Sequence, residues 1–153
     1  MKPNWLIDLN EIEHLDVAWV ASCLSRINRY GGQRPCSINV AGHSVMVEQC
    51  LPEDAPLRLR FHALAHDIHE IWTGDILRPV CERLGDAIEQ IKSELDDQIF
   101  ELLHIPVLPG DKEIVLAADR KAAEVEMLNL IIYDTGYVDW LKRWRELERC
   151  QEN

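Results

Sequence analysis

The densest concentration of chemically capable side chains lies in His62-Ala63-Leu64-Ala65-His66-Asp67-Ile68-His69-Glu70. Imidazoles and carboxylates crowd a stretch that otherwise reads as core-forming. On a helix, His66 and Glu70 are four apart and share a face, while Asp67 and Glu70 are three apart and are neighbours. His66, Asp67 and Glu70 are therefore expected to point into one cavity. His62 can reach the same face. His69 falls about 60° from the edge of the group at helical spacing and is expected to be a bystander.

Imidazole nitrogen with carboxylate oxygen is the ligand set of Zn, Mn, Fe or Co. Neighbouring helical side chains diverge by about 100°, so His66 and Asp67 can share an ion lying between their directions. Further ligands must come from other helices. His43, in Val40-Ala41-Gly42-His43-Ser44, is the best imidazole, because it opens the preceding helix beside a glycine that leaves room. Asp119, in Val115-Leu116-Ala117-Ala118-Asp119, is the best carboxylate, because a carboxylate in an apolar stretch needs a partner. A lone histidine on an apolar helix is ordinarily a satisfied core residue. The combination of His43, His66, Asp67 and Asp119, with Glu70 nearby, is what favours a metal site.

Helices must position these groups. The apolar spacing predicts helices from Leu15 to Ile27, from about Val40 to Leu51, and from Pro56 to Thr73-Gly74. Gly74 suits a helix end. A short turn or helix is expected over Asp75 to Leu84 around Pro79, and longer helices over Asp86 to Leu103, Glu113 to Tyr133 and Val138 to Cys150. Asn28 to Pro35 and Ile105 to Gly110 read as loops by their glycines and prolines. Apolar runs at period two are absent, so the fold class is all-α, a compact single-domain helical bundle over residues 1–153.

Composition narrows the classes. The net charge of −11 argues against duplex nucleic acid, which requires clustered Lys and Arg. A phosphate-bearing substrate could approach so acidic a chain only where metal or placed cations reverse the sign locally. No run approaches the roughly 20 apolar residues of a membrane span, and the N-terminal residues lack a signal-peptide core, so a cytoplasmic chain is expected. The five cysteines have irregular spacing with no Cys-x-x-Cys pair, and read as idle thiols. Val138 to Trp144 carries aromatics that a monomer would struggle to cover, so a homo-oligomer is expected, with packing over the chain's own core as the alternative.

The four residues His43, His66, Asp67 and Asp119 resemble the H…HD…D pattern of the HD-domain phosphohydrolase superfamily. The likeness extends through Leu24 to Gln33, Asn39 to Ser44, and Leu64 to Asp75 with Pro79, and includes Ala118-Asp119-Arg120 and Glu126. These strings are similar to the small branch containing bacterial 5′-deoxynucleotidases and phage dATP triphosphohydrolases. The resemblance spans about residues 20–130, and its HD-x-x-E-x-x-T-G-D string is its most specific part.

The resemblance implies that His43, His66, Asp67 and Asp119 hold one divalent metal (Zn, Co or Mn), with a second Mg possible beside the substrate phosphates. It implies that Glu70 orients or deprotonates the attacking water, and that Asp75 binds water, a sugar hydroxyl or a second metal. Arg29 would clamp phosphate, because a guanidinium forks onto two oxygens. Tyr30, Trp5 or Trp72 would stack on a base, and Arg78 and Pro79 would lie along the substrate. The implied reaction is hydrolysis of the 5′ phosphoester of a deoxynucleotide, favouring a dATP-type triphosphohydrolase, with a dNMP 5′-deoxynucleotidase as the alternative. Outside enzymes, the alternative is a non-catalytic helical metal-binding or interaction module.

The chain departs from the family at Gly42, where Glu or Gln is frequent, and at Cys81 and Leu116, where lysines are frequent. Arg78, Lys112, Arg120 or Lys121 are the cations available to replace those lysines. The departures bear directly on how many phosphates the substrate carries.

Overall fold

Several helix boundaries have a local cause. The first helix, α1 (Val17–Leu24), begins at Asp16, whose carboxylate accepts from the Ala18 and Trp19 amides at 2.7 and 3.3 Å. α2 (Val40–Gln49) begins at Asn39, whose side chain accepts from the Gly42 amide at 2.8 Å. These acceptors satisfy amides that have no partner inside the helix. α3 (Leu57–Ala65) starts behind Pro56. α4 (Glu70–Thr73) stops at Gly74, whose φ of 73° is open to glycine but costly for other residues. α5 (Arg78–Leu84) carries Pro79 in its first turn, where a missing amide proton costs nothing. Then come α6 (Asp86–Leu102), α7 (Asp111–Asn129) and α8 (Gly136–Gln151).

The computed structural model describes residues 13–33, 38–129 and 136–151. Among these the fold is all-α, with no strand and one isolated bridge between Asn28 and Asn39. That bridge, with Arg29 N–H donating to Ile38 at 2.8 Å, closes the loop between α1 and α2. Within the loop, Tyr30 and Gly31 take left-handed backbone, at φ 58° each. Part of the expected loop, and the last residues expected for α7, lie outside the described residues. No described helix is long and apolar enough to cross a membrane. Cys23, Cys50, Cys81 and Cys150 are free thiols.

α2 is the central element. Every residue from Val40 to Glu48 is buried, and α1, α3, α7 and α8 all pack on it. One apolar cluster joins α1, α2, α3, α6 and α8 through Leu24, Val40, Leu64, Ile99 and Trp140. A second joins α2, α3 and α7 through Val47, Leu59, Val115 and Ala122.

Two expectations are corrected. The helix expected from Pro56 to Thr73 is interrupted after Ala65. Across His66 to His69 the amides of Ile68, Glu70 and Ile71 donate three residues back, at 3.0 Å each. This is 3-10 geometry, in which side chains three apart eclipse one another. Trp140 and Trp144 of α8 are also not left exposed for a partner chain. Trp140 is fully buried and donates its indole N–H to the Leu64 carbonyl at 2.9 Å. Trp144 stacks on Trp140 at 5.2 Å and meets the edge of Phe61 at 4.9 Å. The chain's own core covers these rings, so the expected homo-oligomer loses the support that they supplied.

A buried acid ties three helices together. Glu48 of α2 is 1% exposed and accepts from Arg60 of α3 at 2.7 Å and from Arg143 of α8 at 2.9 and 2.7 Å. Removing Glu48 would strand two guanidinium groups beside the core. Glu48→Ala is expected to cost about 3 kcal/mol of stability. Arg143→Ala, at the more solvated end, should cost only about 1 kcal/mol. Urea unfolding checks both, and a Glu48→Ala midpoint equal to the wild type would remove this network from the fold's stability.

Candidate metal centre

The site lies where the broken turn after α3 meets α2 and α7. His43 is fully buried on α2, between two carboxylates of α7. Its Nδ1 lies 2.7 Å from Glu126 Oε1 and its Nε2 lies 2.9 Å from Asp119 Oδ1. Asp119 and Glu126 are seven residues apart, two turns of one helix, and so share a face. Both partners are carboxylate oxygens, so each ring nitrogen faces an acceptor; in the tautomer with Nδ1–H donating to Glu126, Nε2 presents its lone pair beside the Asp119 oxygen. Two acceptors at that distance need a proton or a cation between them.

His66 is oriented in the same way. Its Nδ1–H donates to the Ala63 carbonyl at 2.7 Å, which turns Nε2 towards Asp67 Oδ2 at 3.1 Å. That contact is too poorly aimed for a hydrogen bond, so Nε2 is a buried atom without one. The His43 and His66 ring centroids are 5.5 Å apart. Ligand atoms of His43, His66 and Asp67 lie within 4.8 Å of one another, so this group could hold a metal ion. Asp119 lies outside that group of three but reaches it through His43, with Oδ1 2.9 Å from Nε2. Of the four residues singled out as ligands in the sequence, three form the group and the fourth borders it.

The electrostatics describe a site that wants positive charge. Burial alone would raise the Asp67 pKa, yet His66, His43 and His69 hold it well below the usual carboxylate range. Burial would lower that of His66, but the Asp67 and Asp119 charges push it up to about 9. Glu70 behaves oppositely. Burial, then the charges of Asp67 and Asp75, push it up to about 10, against smaller opposing effects of Arg29 and Lys92. Glu70 Oε2 and Asp75 Oδ2 are buried without hydrogen-bond partners. Orphaned oxygens beside a His/Asp cluster fit a cation and its water, the groups that would satisfy them.

Asp67, His69 and Glu70 form a second such group within 4.8 Å. His69 is therefore no bystander. The i→i−3 bonds of this turn bring His66 over His69 and Asp67 over Glu70, closer in direction than the roughly 60° offset of α-helical spacing. His69 Nδ1 also lies 2.8 Å from Asp96 Oδ1 of α6.

The substrate-binding expectations divide. Arg29 and Tyr30 are at the site, but both are engaged. Arg29 Nε donates to Glu126 at 3.2 Å, and its Nη1 is 3.8 Å from Asp67. Tyr30 donates its hydroxyl to Glu126 at 2.8 Å. Tyr30 sits in the left-handed region at φ 58°, ψ 28°, a conformation costing about 1–2 kcal/mol. Its tie to Glu126 helps to hold it there. Arg78 points away from the site, pairing with Glu82 at 3.3 Å with its side chain 90% exposed, and Pro79 is exposed beside it. Trp72 packs against Trp19 at 6.1 Å; Trp5 lies outside the described residues.

Glu126 is the residue whose role the sequence reading missed. It is fully buried and joins His43, Arg29 and Tyr30. Its spacing of seven from Asp119 was the available signal.

No protein-family model matches the chain. It is similar to an uncharacterized protein of Rhodobacter capsulatus, 31% identical over 123 residues, a match covering 73% of this chain and 61% of that protein. It is also similar to the uncharacterized protein YfdR of Escherichia coli, 29% identical over 120 residues, covering 78% of this chain and 61% of that protein. The chain thus spans less than two thirds of the length of either relative.

A carboxylate behind a ligand imidazole typically governs metal affinity by about 10–100-fold. Glu126→Ala is accordingly expected to weaken divalent-metal binding by about that factor while leaving a folded, cooperatively melting protein. Tyr30→Phe, which leaves the carboxylate in place, should have a smaller effect. Calorimetric titration with Mn²⁺ or Zn²⁺ measures both, and wild-type affinity in Glu126→Ala would contradict the orienting role.

Proposed function

We propose that this chain is a metal-dependent phosphohydrolase of the HD-domain type, acting on the 5′ phosphoester of a deoxynucleotide. The grouping of His43, His66 and Asp67, with Asp119 against His43 and the orphaned Glu70 carboxyl alongside, supports this reading. A divalent ion there (Zn, Co or Mn) would polarise a phosphoryl oxygen and acidify a water molecule.

The remaining work falls to the chain. His43 and His66, each tied back through Nδ1, present Nε2 in a fixed direction. Glu126 holds the His43 tautomer. Glu70 takes the proton from the attacking water, whose oxygen bonds to the α-phosphorus. The bond to the 5′ oxygen breaks, and that oxygen leaves protonated on the deoxynucleoside. Asp75, beside Glu70, supports the water or a sugar hydroxyl. Arg29 places positive charge next to Asp67. A triphosphate substrate of the dATP type releases triphosphate, and a monophosphate releases phosphate by attack at the same phosphorus. The resemblance of the Arg29-Tyr30-Gly31-Gly32 loop to phage enzymes favours the triphosphate.

A panel of dNMPs and dNTPs, with product identification on Mn²⁺- or Co²⁺-supplemented protein, tests the reaction. Release of neither phosphate nor triphosphate from any of them would leave a non-catalytic metal-binding module as the better description. Within an active enzyme, Asp67→Ala should lose both metal and turnover without unfolding. Glu70→Gln should keep the metal and lose about 10²–10⁴-fold in turnover. Loss of metal in Glu70→Gln would move Glu70 into the ligand set instead.

A further inference from the structure

A cavity of about 400 Å³ opens beside the metal centre, bounded by the turn after α3, by α6 and by α7. His66 and Asp119 form one side of it, so it is continuous with the point where the ligand atoms converge. Its size lies within the range of small-molecule sites.

Two cations face this cavity, Lys92 of α6 and Lys112 of α7. Several other basic groups are engaged or lie off this cavity; Arg120 is exposed and does not line it. Arg29 is bound to Glu126, Arg58 to Asp111, and Arg60 to Glu48. Lys121 borders a different cavity with Cys50 and Glu113, and Arg78 pairs outwards with Glu82. Among the described residues, neither Lys92 nor Lys112 has a carboxylate within 4.0 Å. The nearest polar partner given for Lys92 is the Cys81 sulfur, at 3.8 Å, a weak acceptor. His62 adds a third group. Its ring is 4% exposed, and its Nδ1 is buried without a hydrogen-bond partner on the wall of the cavity. Glu89 and Asp96 lie on the same wall, with Asp96 held by His69. Against the carboxylates of Glu89, Asp96 and Asp119 on the same lining, Lys92 and Lys112 are the cations an anion entering this cavity would meet, with the unpartnered His62 Nδ1 beside them.

Resting on the phosphohydrolase reading, we infer that this cavity receives the phosphates beyond the one attacked, with Lys92 and Lys112 as their cationic partners, which selects a nucleoside polyphosphate over a monophosphate. Lys92 stands beside Cys81 in space, so a cation from α6 serves the place where the chain carries a thiol.

Binding of inorganic triphosphate and of orthophosphate to Mn²⁺-loaded protein is measured by calorimetry for the wild type, Lys92→Ala/Lys112→Ala and Lys121→Ala. The double variant is expected to weaken triphosphate binding roughly tenfold or more, leave orthophosphate nearly unchanged, and raise KM for dNTPs. Lys121→Ala should match the wild type. Unchanged triphosphate binding in the double variant, equal loss of both anions, or equal loss in Lys121→Ala would overturn the inference. The two proposals fail separately. A protein that binds triphosphate through these lysines but cleaves no nucleotide would disprove the reaction and keep the pocket. A protein that cleaves dNTPs with the double variant's kinetics unchanged would do the reverse.

Discussion

A single buried imidazole holds the functional half of the molecule together. His43 sits in the middle of the central helix, and both of its ring nitrogens are taken by carboxylates of α7. Burying one ring between two acids costs desolvation that only close, well-aimed contacts offset. The consequence is geometric. α7 is held against α2 along one face, so Asp119 arrives at the convergence point while Glu126 remains behind the ring. Arg29 and Tyr30 then attach to Glu126, drawing the loop after α1 into the same assembly.

The second constraint is charge. Asp67, Glu70, Asp75, Asp119 and Glu126 crowd a small volume of an already acidic protein. Imidazoles and one guanidinium offset some of this, and hold Asp67, Asp119 and Glu126 below their ordinary pKa values. They do not offset Glu70, which is held up by burial and by its acidic neighbours. A cation placed among these groups reverses that balance, and the same cation makes an acidic chain attractive to phosphate. In the proposed function, metal affinity, water activation and anion binding would be linked through this one local charge imbalance.

Much of the helical pattern was legible because apolar spacing and breakers act locally. Gly74, Pro79 and Asn39 stand at element boundaries for reasons visible in their own chemistry. The interruption at His66 to His69 was not legible. Its residues include no glycine or proline, and nothing local forbids a continuous helix. Tightening that turn changes which side chains eclipse, and this moved His69 from a bystander to a neighbour of Asp67 and Glu70. Trp140 and Trp144 show the same limit in another form. Their apolar character was plain, but whether the chain itself would cover them depended on where α8 docks.

By itself, the sequence determined the all-α class and singled out His43, His66, Asp67 and Asp119 as candidate metal ligands. Helical period suffices for the first, and the accumulation of imidazoles and acids in apolar surroundings points to the second. The tertiary structure decided what stands behind and beside those ligands: Glu126 behind His43, Asp96 against His69, Lys92 and Lys112 on the adjoining cavity, and Arg78 out in solvent. Those assignments depend on the docking of α6 and α7 against the turn after α3. Docking is set by side chains far apart in the chain, and spacing along one helix carries no information about the rotation of its neighbour.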